Sequence, residues 1–153
     1  MTEDARFDTD AMTAMVATTI PIMGAMGLRV VEVRRGYAAA EIPVEPNVNH
    51  FGSMYAGSLF TVAEMLGGVI GLTSFDLPGF IPVVKGLDIK FRRVAKTVVR
   101  SSASLSDDEI TRIESEARAT GKSEFILVAV LTDETGEVVA TSEGVYQMRS
   151  MIG

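Results

Sequence analysis

Residues 54–75, MYAGSLFTVAEMLGGVIGLTSF, decide the fold. The segment is apolar on nearly every face, which marks a helix buried all round rather than one lying on a surface. Its length also suits a membrane span. Against that stand Glu64 in mid-segment, the glycines that interrupt the run, and the lack of a flanking Lys or Arg cluster. The rest of the chain reads as amphipathic strands, so a helix in a protein core is expected, without membrane insertion.

Upstream, Asp8 or Asp10 caps a first helix in which Met12, Met15, Val16 and Ile20 recur at helical spacing, until Pro21 or Gly24 ends or kinks it. Residues 27–35 (GLRVVEVRR) and 37–44 (YAAAEIPV) read as strands joined tightly at Gly36, and the loop 47–53 (NVNHFGS) leads into the apolar helix. Downstream, the turn Asp76-Leu77-Pro78-Gly79 precedes two long strands at 81–95 and 97–105, rich in Val, Ile and Phe. Ser106 and Glu109 form a capping-box pattern that opens a short helix, with Ile110, Ile113 and Ala117 on one face and Gly121 past its end. Its acids, Asp107, Asp108 and Glu109, sit at the positive end of the helix dipole. Strands at 123–132 and 137–148 follow, joined through Asp133-Glu134-Thr135-Gly136. The expected fold is α+β: six antiparallel strands curled around one long central helix, with an N-terminal helix and a short helix between the fourth and fifth strands. One sheet covers only part of a helix that is apolar all round. A second copy of the chain, with the two central helices meeting across a two-fold axis, is the economical cover. An obligate homodimer is expected, with further pairing into a homotetramer left open.

Composition bounds the chemistry. The 153 residues, 47% hydrophobic, fit one domain over 1–153, and a core of that size needs neither disulfides nor a structural metal. With no cysteine and a single histidine, zinc-finger, iron–sulfur and thiol chemistry are excluded, and no metal or resident cofactor is expected. The acidic start lacks the order of a secretory signal, making the cytoplasm the default location. A net charge of −6 disfavours nucleic acid and anionic membranes as partners. Lys85, Lys90, Arg92, Arg93, Lys96 and Arg100 nevertheless form a local basic stretch, read either as solvated edge charges or as an anion-binding rim.

Over about residues 20–148 the order of hairpin, Asn-containing loop, long buried helix and four-strand meander resembles the hotdog fold. Asn49-His50-Phe51-Gly52-Ser53-Met54-Tyr55-Ala56-Gly57, with Glu64 seven residues later, is similar to the motif of hotdog acyl-CoA thioesterases of the phenylacetate-degradation type. It looks closer still to a thioesterase-like branch related to C-terminal domains of acetyltransferase-like proteins. Asn49, Gly52, Ser53, Gly57 and Glu64 fall on the motif's positions, whereas Tyr55 stands where the better-known branch has His and Ala56 where it has Gly. Some relatives place a Ser on the strand after the helix; the matching neighbourhood here holds Lys85. The resemblance implies hydrolysis of an acyl-CoA or related thioester, with coenzyme A present only as part of the substrate.

The residues support that chemistry on their own terms. Glu64 is the only acid between Glu45 and Asp76, and in an apolar helix desolvation raises its pKa, suiting a general base or nucleophile. The alternative is a carboxylate satisfied within the core. The backbone amides of Ala56 and Gly57, at a helix N-terminus, are candidate oxyanion donors. From Ala56 to Glu64 the helix rises about 12 Å, so one carbonyl cannot touch both, and a shared site needs Glu64 from one subunit and the amides from its mate. Asn49 is expected to hold the attacking water or the carbonyl oxygen, or simply to cap its loop. Tyr55 and His50 are candidate substrate contacts, with packing and solvent exposure as the alternatives, and Lys85, Arg92 and Arg93 are candidates for the substrate's charged portion. Strand alternation places Arg92 and Arg93 on opposite faces. A hotdog dehydratase needs a catalytic His in a context that His50 lacks. The competing class is a non-catalytic acyl-CoA or lipid-binding module, its pocket lined by Met12, Met15, Met23, Met26, Met54 and Met65.

Overall fold

In the computed structural model, which describes residues 4–152, the apolar segment forms helix α3 (Ala56–Ser74), packed against one face of a six-stranded antiparallel sheet. Before it come a short 3₁₀ turn, α1 (Thr9–Thr19), α2 (Pro21–Ala25) and the hairpin β1 (Arg29–Arg34) and β2 (Tyr37–Ile42). After it come β3 (Phe80–Phe91), β4 (Val99–Ser104), α4 (Asp107–Thr120), β5 (Lys122–Thr132) and β6 (Val138–Ser150). The caps read from the sequence are made: the Asp8 carboxylate accepts from the Ala11 amide, and Ser106 Oγ accepts from the Glu109 amide. Pro21 opens α2, where its missing N–H is no loss. Gly36 has φ +78°, and a Cβ there would lie 2.6 Å from the Leu105 carbonyl oxygen, so the hairpin turn requires glycine.

The strand order is β1-β2-β4-β5-β6-β3, which corrects the expected meander. β3 does not pair with β4; it lies at the sheet edge, antiparallel to β6 from Phe80↔Ser150 to Phe91↔Ala140. The cause is α3. A 19-residue helix laid along the sheet carries the chain from the β1–β2 half to the far edge, and residues 92–98 bring it back to pair β4 with β2. Both long strands read at 81–95 and 97–105 are shorter; β3 stops at Phe91 because the Arg92 and Arg93 amides converge on the Val139 carbonyl and its ladder with β6 ends there.

α3 buries Leu59, Val62, Leu66, Val69 and Ile70 against the sheet. It approaches β6 and β3 closely through Gly67 and Gly71. A Cβ on Gly67 would lie 1.9 Å from the Tyr146 ring, and one on Gly71 would lie 2.6 Å from Pro82. By length and composition alone α3 passes for a membrane span, yet most of it is buried inside this fold. The expectation of burial on all sides is not met within one chain. A stripe at helical spacing remains uncovered, with Phe60 39% and Leu72 45% exposed and Glu64 and Gly68 half-buried between them. The two sheet edges also differ. Both have a register irregularity and ion pairs, but β1 is six residues long, whereas β3 presents 12 residues including exposed Ile81, Val84 and Phe91.

Candidate active site

Glu64 lies beside a cavity of about 190 Å³ between α1, α2 and the open stripe of α3, closed below by Pro82 and Val84 of β3 and Tyr146 of β6. Apart from Thr19 and Tyr146, its other walls are apolar. Among the described residues the Glu64 carboxylate has no hydrogen bond and no ion pair, so burial alone pushes its pKa above the ordinary glutamate value. The reading of Glu64 as a carboxylate satisfied by a core partner therefore finds no partner among the described residues. Tyr146, which the sequence did not single out, sits beneath it. Its hydroxyl donates to the Glu64 backbone carbonyl at 2.9 Å, and its ring stacks on Phe125. Burial, and secondly the nearby Glu64 charge, raise the Tyr146 pKa, so the phenol stays a neutral donor.

A second cavity, of about 370 Å³, lies at the N-terminus of α3, where Asn49, Ser53, Met54 and Ala56 face Phe91, Arg92 and Arg93. The Ala56 and Gly57 amides begin α3 and make no hydrogen bond among the described residues; the first turn bonds instead begin with the Ser58 and Leu59 amides on the Tyr55 carbonyl. Asn49 organises the loop: its Oδ1 accepts from the amides of Phe51 and Ser53 and from Ser53 Oγ. Its capping role is thus real, and what remains for other work is the side-chain NH₂. Tyr55 is 57% exposed, and its ring lies so close to Gly57 that a Cβ there would be 2.5 Å away. Asn47, also missed in the sequence, anchors this end of the helix. It is buried, donating to the carbonyls of Met26 and Pro43 while its Oδ1 accepts from Ser58 Oγ. An asparagine in the loop after β2 gave no signal beyond loop propensity.

The remaining candidates separate. His50 is exposed, its ring tilted against that of Phe51. Lys85 lines neither cavity; it pairs with Glu124 at the sheet surface. Arg92 and Arg93 do not alternate as a strand would place them: β3 has ended at Phe91, and both line the second cavity. Most of the basic stretch is already paired, through Lys90–Asp88, Arg93–Glu137 and Arg100–Glu32, while Arg92 has no acidic partner among the described residues. Of the six candidate methionines, Met15, Met23 and Met65 line the Glu64 cavity, Met54 lines the second, Met12 is wholly within the core, and Met26 packs against that core and lines neither cavity.

Along α3, Ala56 and Glu64 are about 12 Å apart and line different cavities, so one chain does not present both to one carbonyl.

A family model described as a domain of unknown function, DUF4442, matches residues 8–147. Among solved structures, a Pseudomonas aeruginosa protein of unknown function, PA5026, titled a probable thioesterase, is 45% identical, with a TM-score of 0.85 over 90% of this chain and 93% of that one. The thioesterase HI1161 of Haemophilus influenzae is 12% identical, with a TM-score of 0.74 over 95% of this chain and 92% of that one. The PaaI protein of the E. coli phenylacetic acid degradation operon is 18% identical, with a TM-score of 0.67 over 93% of this chain and 92% of that one. The latter two likenesses speak to fold. No curated protein matches the chain.

Proposed function

Given that the chain belongs to the DUF4442 family, within the hotdog-fold thioesterase superfamily, we propose that it hydrolyses acyl-CoA thioesters at a site shared between two copies of itself. The observation that carries this reading is the unpaired Glu64 carboxylate, half-buried in an apolar cavity, in a helix whose N-terminal amides are also without partners. Water beside Glu64 attacks the thioester carbonyl carbon as the carboxylate takes its proton. The tetrahedral oxyanion is held by the Ala56 and Gly57 amides of the second copy, and collapse expels the coenzyme A thiolate, which leaves as the thiol after protonation. Direct attack by Glu64, giving an anhydride that water then opens, uses the same groups. On this reading the Asn49 NH₂, left over from its loop-capping bonds, steadies the carbonyl oxygen, and Arg92, without an acidic partner among the described residues, is the better of the two arginines for a coenzyme A phosphate.

The uncovered α3 stripe and the long open β3 edge support the two-copy arrangement. Sedimentation should show a dimer or larger; a well-folded 16.4 kDa species at micromolar concentration removes the shared site. The chemical test is free-thiol release from a panel of acyl-CoA thioesters by the wild-type protein and Glu64→Gln. A positioned base contributes about 10²-fold or more, so kcat should fall by that much with binding retained. Saturable binding without turnover by the wild type makes the protein an acyl-CoA-binding module instead, and near wild-type turnover by the Gln variant refutes the role of Glu64.

A further inference from the structure

The Glu64 cavity is a groove with a direction. It follows the open stripe of α3 from Glu64 past Gly68 to Leu72, with the methionines and Val16 of the opposite wall facing that stripe. Eight residues of helix advance about 12 Å, and an extended chain advances about 1.2 Å per bond, so the groove accepts about ten bonds of a linear chain beyond the carboxylate. Its volume of about 190 Å³ is narrow for that length, which favours a slender alkyl chain over a bulky ring system. Gly68 marks the midpoint. Unlike Gly67 and Gly71, whose hydrogens face Tyr146 and Pro82, Gly68 would meet nothing within 4 Å if it carried a Cβ, because its open side faces the groove. Packing against this chain therefore gives no reason for glycine at 68, and in a helix glycine is unfavourable by about 1 kcal/mol against alanine. Methionine thioethers on the facing wall adjust to chains of varying length.

We propose that Gly68 and Leu72 set the acyl length, and that the preferred substrates carry linear saturated acyl groups of about six to ten carbons lying along α3 from Glu64 toward Leu72. The proposal rests on the thioesterase reading for its reaction, but not for its pocket. The test therefore has a hydrolytic arm and a binding arm. In the first, kcat/KM is measured for C4 to C16 acyl-CoA with the wild type, Gly68→Leu and Leu72→Ala. In the second, calorimetry gives Kd for S-butyl-CoA and S-decyl-CoA, thioethers that cannot be hydrolysed. The wild type should peak at C6 to C10. Gly68→Leu should lower the decyl-to-butyl ratio at least 10-fold in both arms, the scale on which apolar pockets discriminate methylenes, and Leu72→Ala should move the preference to longer chains. Absence of turnover with the binding pattern intact overturns the hydrolysis and leaves the length assignment standing. A wild type indifferent to chain length, or two variants that scale all lengths equally while remaining folded, overturns the length assignment whatever the turnover.

Discussion

Replacing Gly67 by alanine should damage the fold, while the same change at its neighbour Gly68 should strengthen it. At 67 the new methyl would stand 1.9, 2.2 and 2.5 Å from three atoms of the Tyr146 ring, where carbon atoms ordinarily sit about 3.5–4.0 Å apart. The ring must then retreat by well over 1 Å, and it has no room. Phe125 stacks on it with centroids 5.6 Å apart, and the ring crowds the Gly144 backbone, where a Cβ would be 2.6 Å from it. Overpacking of this kind costs about 1–3 kcal/mol, and losing the Tyr146 hydroxyl bond to the Glu64 carbonyl adds about 1 kcal/mol. The alanine's better helix propensity returns about 1 kcal/mol, leaving a net loss of about 1–3 kcal/mol, or roughly 3–10 °C in Tm for a chain of this size. At 68 no atom of the same chain lies within 4 Å, so the effect within the chain is the propensity gain alone, about 2–4 °C in Tm, and a departure from that value reports contact with the second copy across the stripe. Urea denaturation of both variants at fixed protein concentration measures the difference, and a cycle with Tyr146→Leu should show most of the Gly67→Ala cost disappearing in the double variant. Equal effects at 67 and 68, or additivity with Tyr146→Leu, would refute the account of how α3 seats on the sheet.

Glu64 makes a prediction of opposite sign for stability and rate. Its raised pKa means the folded protein holds this proton more tightly than the unfolded chain, so its contribution is present below the ordinary glutamate range and is lost as pH rises through the raised value. Glu64→Gln should therefore gain stability relative to wild type on going from pH 4 to pH 7, while the acid limb of wild-type kcat/KM lies above the usual carboxylate range; a pH-independent stability difference contradicts a desolvated carboxylate. Arg92→Ala should raise KM for an acyl-CoA about 10-fold, the loss of one charge-assisted hydrogen bond, and leave an acyl-pantetheine thioester unchanged. Arg93→Ala should do less because Glu137 already holds that side chain, and equal effects of either variant on both substrates would return the arginines to solvated charges.

Local chemistry carried the sequence reading furthest. The caps at Asp8 and Ser106, the turn at Gly36 and the isolation of Glu64 each depend on residues within a few positions of one another, and each is present. What the sequence did not reveal depends on pairing at long range. The displacement of β3 to the far edge is invisible to alternation, because β3 has the same pattern beside β6 as it would have beside β4. Arg92 and Arg93 were assigned opposite faces on the assumption of a strand that had already stopped. Tyr146, 82 residues from Glu64, joins the site only through the register of β6, and Lys85 leaves it for Glu124 by the same kind of remote pairing. The glycines of α3 looked like helix weaknesses; Gly67 and Gly71 are places where the sheet comes close.

The register of β3 against β6 also orders events during synthesis. Phe80 waits for Ser150 and Phe91 for Ala140, so β3 leaves the ribosome some 50 to 70 residues before its partner does. At about 5–20 residues per second that interval lasts several seconds, during which an apolar helix and an unpaired strand stand in solution side by side. The nascent chain can form its first hairpin early, but β3 cannot join the sheet until β6 has been added. A truncation within β6 would thus leave two apolar elements exposed rather than trim one strand.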